Sequence, residues 1–209
     1  MENTRVNPFE TGAEEYDSWY SENGELYRSE LDAVKALFPD DGNNIEIGVG
    51  TGVFASKLGI VTGVEPAEEM AKIAEARGIE VIRSVAESLP IGDGIYDAAL
   101  MATVECFLSD VTGSFREIYR ILKEDGIFVI AFLDLASPLG KVYEENKNFD
   151  KNYKHATFHT ADEIRGYLCD AGFTPAEEVQ TVFELGNVYQ PARPGTGEGV
   201  FAVIKAVKK

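Results

Sequence analysis

The sequence predicts an α/β fold: a doubly wound sheet of about seven strands, mostly parallel, with one antiparallel C-terminal strand and helices on both faces. Three observations carry this expectation. Short apolar runs alternate with stretches of helical periodicity from residue 44 to residue 132. A turn with three alternating glycines, Gly48-Val49-Gly50-Thr51-Gly52, joins the first apolar run to a helix start, the junction where sheets of this kind take ligands. Near the end, the apolar runs 179–185 and 200–207 follow one another without a helix between them, so they pair antiparallel.

The 209 residues suit one domain. It divides into an N-terminal helical arm or lid (1–43), a ligand-binding core (44–134), a less regular insertion on the substrate side (135–159), and a C-terminal helix with the antiparallel strands (160–209). The net charge is −17, and no cluster of Lys and Arg is present to neutralise a phosphate backbone. Nucleic acid is therefore not expected as a partner. An anionic membrane surface is disfavoured for the same reason, and no apolar run reaches the roughly 18 residues of a spanning helix. With no leader-like apolar region after Met1, a cytoplasmic protein is expected. The basic C-terminal residues Lys205, Lys208 and Lys209 read as a solvated tail. Cys106 and Cys169 have neither metal-ligand spacing nor a disulfide framework. Both read as buried free thiols, and no metal site is expected.

Each element has a local reason. Residues 1–24, bracketed by Pro8 and Gly24, hold Phe9, Tyr16, Trp19 and Tyr20; Tyr16 and Tyr20 are four apart on one helical face. They would either clamp the arm onto the core or form a lid. Leu26, Tyr27, Leu31, Val34, Leu37 and Phe38 recur at helical spacing until Pro39-Asp40-Asp41-Gly42. Residues 44–47 form the first strand and 60–66 the second. Pro66 is placed in the first turn of a helix that carries Met70, Ile73 and Ala74 and stops at Gly78. Residues 80–83 form the third strand and Tyr96–Ala102 the fourth. Asp110 caps a helix running to Lys123, and Asp125-Gly126 turns into strand 127–132. The stretch 134–158 reads as an irregular loop of the kind that carries function. Thr160-Ala161-Asp162-Glu163 has capping-box form, and Gly172 ends the following helix with Phe173 as its hydrophobic stop. The alternating glycines Gly195, Gly197 and Gly199 read as a flexible hairpin connection.

The chemistry centres on Glu46, two residues before the glycine turn. A dinucleotide fingerprint has Gly-x-Gly-x-x-Gly; here the third glycine comes one residue early. A carboxylate at Glu46, with no Lys or Arg in the turn, repels a phosphate and suits a cationic ligand. Glu65, at the tip of the second strand, is placed to accept both hydroxyls of a ribose; the plainer alternative is a surface acid at a helix N-terminus.

The series Glu46-x-Gly48-x-Gly50-x-Gly52, Glu65-Pro66 and Ala86-Glu87-x-Leu89-Pro90 resembles the class I S-adenosylmethionine (SAM) dependent methyltransferases. Phe115–Phe132 resembles that family's segment of helix, Arg-x-Leu-Lys-x-x-Gly and strand. The resemblance covers residues 44–132 in motif detail. It implies a Rossmann-like domain that binds SAM and releases S-adenosylhomocysteine. It further implies that Tyr16, paired with Asp17, closes over the cofactor and that Met70 packs on the adenine. Ala86 would border the adenine, and Ala102 would face the methionine end. Val85 stands where the family usually has Asp, so the adenine amino group would be read by main chain or by Glu87. Glu105 is the candidate base for an acceptor proton, and Tyr16 is the second catalytic candidate; otherwise Glu105 is a solvated loop acid. His155 and His159 are expected to satisfy local hydrogen bonds. The expected activity is methyl transfer to a small-molecule acceptor, at N, O, S or C, by a monomer or homodimer. A SAM-binding protein without transfer activity is the alternative, and an NAD(P) oxidoreductase is disfavoured by the glycine spacing and Glu46.

Overall fold

The computed structural model describes residues 12–209; Pro8 and Phe9 lie outside the described residues. Its elements, in order, are α1 (Ala13–Glu22), α2 (Gly24–Lys35), β1 (Asn44–Ile47), α3 (Ala55–Leu58), β2 (Thr62–Val64), α4 (Glu68–Ala76), β3 (Glu80–Ile82) and β4 (Tyr96–Ala102). They continue with α5 (Val111–Ile121), β5 (Leu122–Leu133), α6 (Pro138–Asn146), α7 (Ala161–Asp170), β6 (Phe173–Thr181), β7 (Arg193–Pro194) and β8 (Phe201–Lys208).

One sheet of eight strands runs β3-β2-β1-β4-β5-β8-β6-β7, the last addition being the two-residue β7. The strands from β3 to β5 are parallel, and β8 lies antiparallel between β5 and β6. All four residues of β1 are buried, as a central strand covered on both faces requires. Along β4 the alternation of a strand sends Ala98, Leu100 and Ala102 to one core, with Val34, Phe54 and Phe158. Ala99 and Met101 go to the other, with Phe115, Phe128 and Ile164. Because β1 has β2 on one side and β4 on the other, the winding reverses there, and the crevice opens at the carboxyl ends of β1 and β4.

Several elements differ from expectation. α5 stops at Ile121, because Leu122 is fully buried and already pairs with Tyr96 in the sheet. Lys123 instead reaches across to Asp97 at 2.8 Å. α4 begins after an Ala67 cap, so Pro66 precedes the helix rather than opening it. The stretch expected to be irregular contains α6, whose start is a Ser137 cap accepting from the Gly140 N–H with Pro138 next to it. β6 begins at Phe173, six residues ahead of the apolar run at 179, and absorbs Pro175 at a register shift. The glycine loop before β8 is tied down rather than free. Asp134 accepts from the Gly197 N–H at 2.9 Å, and Gln180 accepts from both Glu198 and Gly199 at 2.8 Å. Lys208 is no solvated tail: it is buried, and its Nζ donates to the carbonyls of Tyr119 (3.0 Å) and Leu122 (2.7 Å) at the end of α5. Cys106 is buried as expected, whereas Cys169 is exposed, on the outer side of α7.

Candidate active site

The glycine turn is fixed by β2: the N–H groups of Gly48 and Val49 both donate to the Val64 carbonyl, at 2.8 and 2.9 Å. All three glycines have positive φ (74°, 54° and 81°), which a Cβ disfavours. Their surroundings differ. A Cβ on Gly48 would lie 2.4 Å from a methyl of Val104, and one on Gly52 would lie 2.4 Å from Ile79. A Cβ on Gly50 would meet nothing within 4 Å. Gly48 and Gly52 are thus glycine for the protein's own packing, while the main chain at Gly50 borders open space.

Two carboxylates flank this turn. Glu65 is buried; one oxygen accepts from the Gly50 N–H at 3.0 Å and the other from the Ala67 N–H at 2.8 Å. It is therefore not the surface acid of the plainer expectation. Glu46 is 2 % exposed, and its Oε2 has no hydrogen-bond partner. Burial pushes its pKa well above the usual carboxylate range; the Ala55 N–H opposes this and the neighbouring Glu65 charge adds to it. An orphaned buried carboxyl beside an open main chain suits a ligand carrying positive charge, and SAM carries it on both its sulfonium and its ammonium.

α1 lies over this turn. Asp17 pairs with Arg77 at 2.8 Å, and Arg77 also donates to the Thr51 carbonyl at 2.5 Å. Met70 is buried with Ala13 and Ala67, and Tyr16 packs on them. Tyr16 thus stands over the α4 side of the site, and the Glu46 and Glu65 charges both raise its pKa, after desolvation, to about 12. Tyr27 donates to the Val53 carbonyl at 2.6 Å, tying α2 to the same turn.

Past β3, Ala86 is buried and Val85 is 47 % exposed. Glu87 turns away to Ser109, accepting from its N–H and Oγ at 3.0 and 2.8 Å. Past β4, Thr103 takes φ 54°, a left-handed conformation rare for a β-branched residue. It leads into a 3₁₀ turn over Glu105–Phe107. Glu105 is 1 % exposed and neither carboxylate oxygen has a partner of hydrogen-bond geometry. Desolvation raises its carboxyl to about 8, held partly in check by the nearby N–H groups of Glu105 and Cys106. The expectation of a solvated loop acid does not hold. His155 is exposed. His159 is buried against Tyr167 with its Nδ1 unpartnered, and burial holds its pKa down; Tyr167 packs on the core that holds Phe115, Phe128 and Ile164.

Glu30, on α2, is the residue that sequence reading passed over. It sits in a helix whose apolar positions had drawn attention instead, and only its tertiary surroundings distinguish it.

A Rossmann-like sheet with an acid-flanked glycine turn at its switch point defines a nucleoside-cofactor enzyme of the methyltransferase type. Comparison with known proteins agrees: the Methyltransferase domain family matches residues 45–130. An uncharacterized protein of Methanocaldococcus jannaschii is 43% identical over 97% of this chain and 100% of its own length. The crystal structure of a SAM-dependent methyltransferase from Thermotoga maritima, described as a possible histamine N-methyltransferase, superposes with a TM-score of 0.92. It is 43% identical, over 97% of this chain and 98% of that one. A malonyl-[acyl-carrier protein] O-methyltransferase of Geobacter sulfurreducens is 28% identical over 97% of this chain and 78% of its own. The chain belongs to the SAM-dependent methyltransferases, and SAM is its cofactor. Among the described residues no helix is long and apolar enough to cross a membrane, and no group of ligating side chains could hold a metal.

Proposed function

We propose that this protein transfers the methyl of SAM to a small-molecule acceptor and releases S-adenosylhomocysteine. The observation that carries the reading is the pair of buried carboxyls at the glycine turn, Glu65 hydrogen-bonded to Gly50 and Glu46 with an orphaned oxygen. When bound, SAM supplies a methyl on cationic sulfur, already activated for displacement. The chain's own task is then to hold the acceptor at attack distance and to exclude water.

In this reading Glu65, with Pro66 shaping the turn after it, takes the ribose hydroxyls on its remaining lone pairs. Glu46 balances the cationic methionine end, the main chain at Gly48, Gly50, Gly52 and Ala102 lies along it, and Met70 packs near the adenine. With Glu87 engaged by Ser109, the main chain at Val85 and Ala86 reads the adenine amino group. Tyr16 closes the site from α1. Glu105, unpartnered and held neutral by burial until about pH 8, takes up an acceptor proton once ionised. The acidic surface supports a small acceptor in preference to nucleic acid or an anionic membrane, and fits a cytoplasmic monomer or homodimer.

Calorimetric titration with SAM, S-adenosylhomocysteine and NADH tests the cofactor. Binding of the two adenosyl ligands without NADH is expected; NADH binding would overturn the reading. A methyl-transfer screen over amines, phenols, thiols and carboxylates tests the activity. Failure of every class despite tight cofactor binding would instead support a binding protein.

A further inference from the structure

The chain leaves the sheet at Thr103. The Thr103 N–H still donates to the Ala131 carbonyl of β5, at 2.8 Å, and so continues the ladder of β4. Its own φ is then 54°, and Val104 returns to a right-handed conformation with φ −108° and ψ −33°. The two residues turn the chain sharply out of the strand. Among the described residues other than glycine, Asp125 and Val182 also have positive φ. Neither stands at the carboxyl end of β1 or β4, where the crevice opens.

This bend decides where the next side chains go. Val104 fills the space beside Gly48, its methyls 2.4 and 2.8 Å from where a Cβ on that glycine would lie. It packs on the core that holds Ile47 and Met101. Cys106 enters the opposite core, with Phe54 and Phe158. Had the strand run on, Val104 and Cys106, two residues apart, would share one face. Because they part instead, Glu105 between them is turned inward, 1 % exposed and with neither oxygen partnered.

A left-handed conformation is costly for a β-branched residue, and such strain persists only where the surroundings over-determine it. The Thr103 Oγ1 donates to the Ala102 carbonyl at 2.8 Å, and the Thr103 carbonyl accepts from the Cys106 Sγ at 3.9 Å. From outside, the Thr157 N–H donates to the Cys106 carbonyl at 2.8 Å and holds the turn in place. Glycine would take this conformation without strain. It would bring neither the hydroxyl nor the stiff χ1 of a β-branched side chain.

Strain of this kind gathers at sites where geometry is part of the mechanism, and here it stands two residues from an orphaned buried acid. We propose that Thr103 is a positioning residue for methyl transfer: its left-handed backbone and its hydroxyl keep Glu105 out of water, one residue past the Val104–Gly48 contact, where Glu105 takes up the acceptor's proton. Thr103 touches no reactant in this role and acts through Glu105. The role rests on the methyltransferase reading, to which it adds the residue that seats the base.

The test is a carboxyl-carbon NMR titration of the full chain carrying isotopically labelled glutamate, with Glu105→Gln identifying the Glu105 signal. In the wild-type chain that signal is expected to titrate at about 8. Thr103→Gly suits the backbone and removes the hydroxyl. It should lower the midpoint by about one pH unit or more, as water reaches the carboxyl. Thr103→Ser keeps the hydroxyl and should stay within about half a unit of the wild type. Thr103→Val, of the same shape without the hydroxyl, should move the midpoint as glycine does, and it replaces the glycine variant should that fail to fold. An unmoved midpoint in the glycine or valine variant would overturn the positioning role alone. So would a serine variant displaced as far as glycine, or a wild-type signal in the ordinary carboxylate range. Calorimetric titration of the wild-type chain with S-adenosylhomocysteine is read separately; failure to bind would overturn the methyltransferase reading, whatever Glu105 does.

Discussion

Glu65 holds the main-chain N–H of Gly50 at 3.0 Å, so the acid at the end of one strand sets the conformation of the turn after another. Its second oxygen does the same for Ala67 at 2.8 Å. Glu65→Ala removes these bonds together with any made to a ribose. SAM affinity is expected to fall by roughly 1.5–3 kcal/mol, the range for hydrogen bonds to a charged group. Titration with S-adenosylhomocysteine measures it, and unchanged affinity would rule the assignment out.

Gly50 and Gly52 should separate binding from folding. Gly52→Ala drives a Cβ to 2.4 Å from Ile79 at φ 81°, and overpacking of that kind costs about 1–3 kcal/mol. A clear drop in melting temperature is expected. Gly50→Ala meets nothing within 4 Å, so its stability cost should stay near the ~1–2 kcal/mol of a left-handed residue. Its main effect should be lost cofactor affinity. Thermal melts with and without S-adenosylhomocysteine distinguish the two; an unaffected ligand-induced shift in Gly50→Ala would contradict the open-face role.

Cofactor binding should release a proton from Glu46. Without ligand, burial raises its pKa well above the usual carboxylate range and so favours the protonated form. A cation bound beside it favours the ionised form, and affinity for SAM should therefore rise with pH until the ligand-free Glu46 pKa is passed. Titrations in buffers of different ionisation enthalpy report the released proton. Glu46→Gln should abolish the release and flatten the profile.

The same burial gives the ligand-free protein an unusual pH profile. Glu30 and Glu105 titrate at about 8 when folded, but near 4.3 when unfolded. Between those values the unfolded chain binds fewer protons, so stability falls as pH rises. The lowered pKa values of Asp17, Glu117 and Glu163, which follow from partners that outweigh desolvation, cost stability only in more acidic solution. Melting temperature should fall steadily from pH 5 to about pH 8.5. Glu105→Gln should reduce that slope; an identical slope would mean the side chain is solvated.

Lys208→Ala should destabilise without touching the site. It leaves the Tyr119 and Leu122 carbonyls without the Nζ–H donors at 3.0 and 2.7 Å. The expected cost is about 1–3 kcal/mol, read as a lower denaturation midpoint with unchanged cofactor affinity.

Where structure follows from local chemistry, the sequence was legible. β4 spans Tyr96–Ala102 as its apolar run indicates, and Thr160 and Glu163 make both halves of the expected capping box. The glycine turn and Glu46 were legible because they lie within one short run, residues 46–52, and Glu65 because it directly follows the next apolar strand. What escaped depends on remote partners. The start of α2 is capped by Asn187, which accepts from the Glu25 N–H at 2.8 Å across 162 residues. The burial of Lys208 depends on where α5 ends, and α6 was hidden because Ser137-Pro138 signals a helix start and a break alike. Glu30 belongs to the same group: nothing in its helix reveals the burial that pushes its carboxyl up to about 8.

The contact at Gly48 has a consequence for redesign. Because a Cβ there would strike Val104, the neighbour of Glu105, the glycine turn and the turn at Glu105 interlock as one mechanical piece. Grafting a different acceptor loop onto this scaffold would succeed only if the incoming segment presents a side chain no bulkier than valine at position 104. The segment that carries Glu105 is therefore the least free to be exchanged.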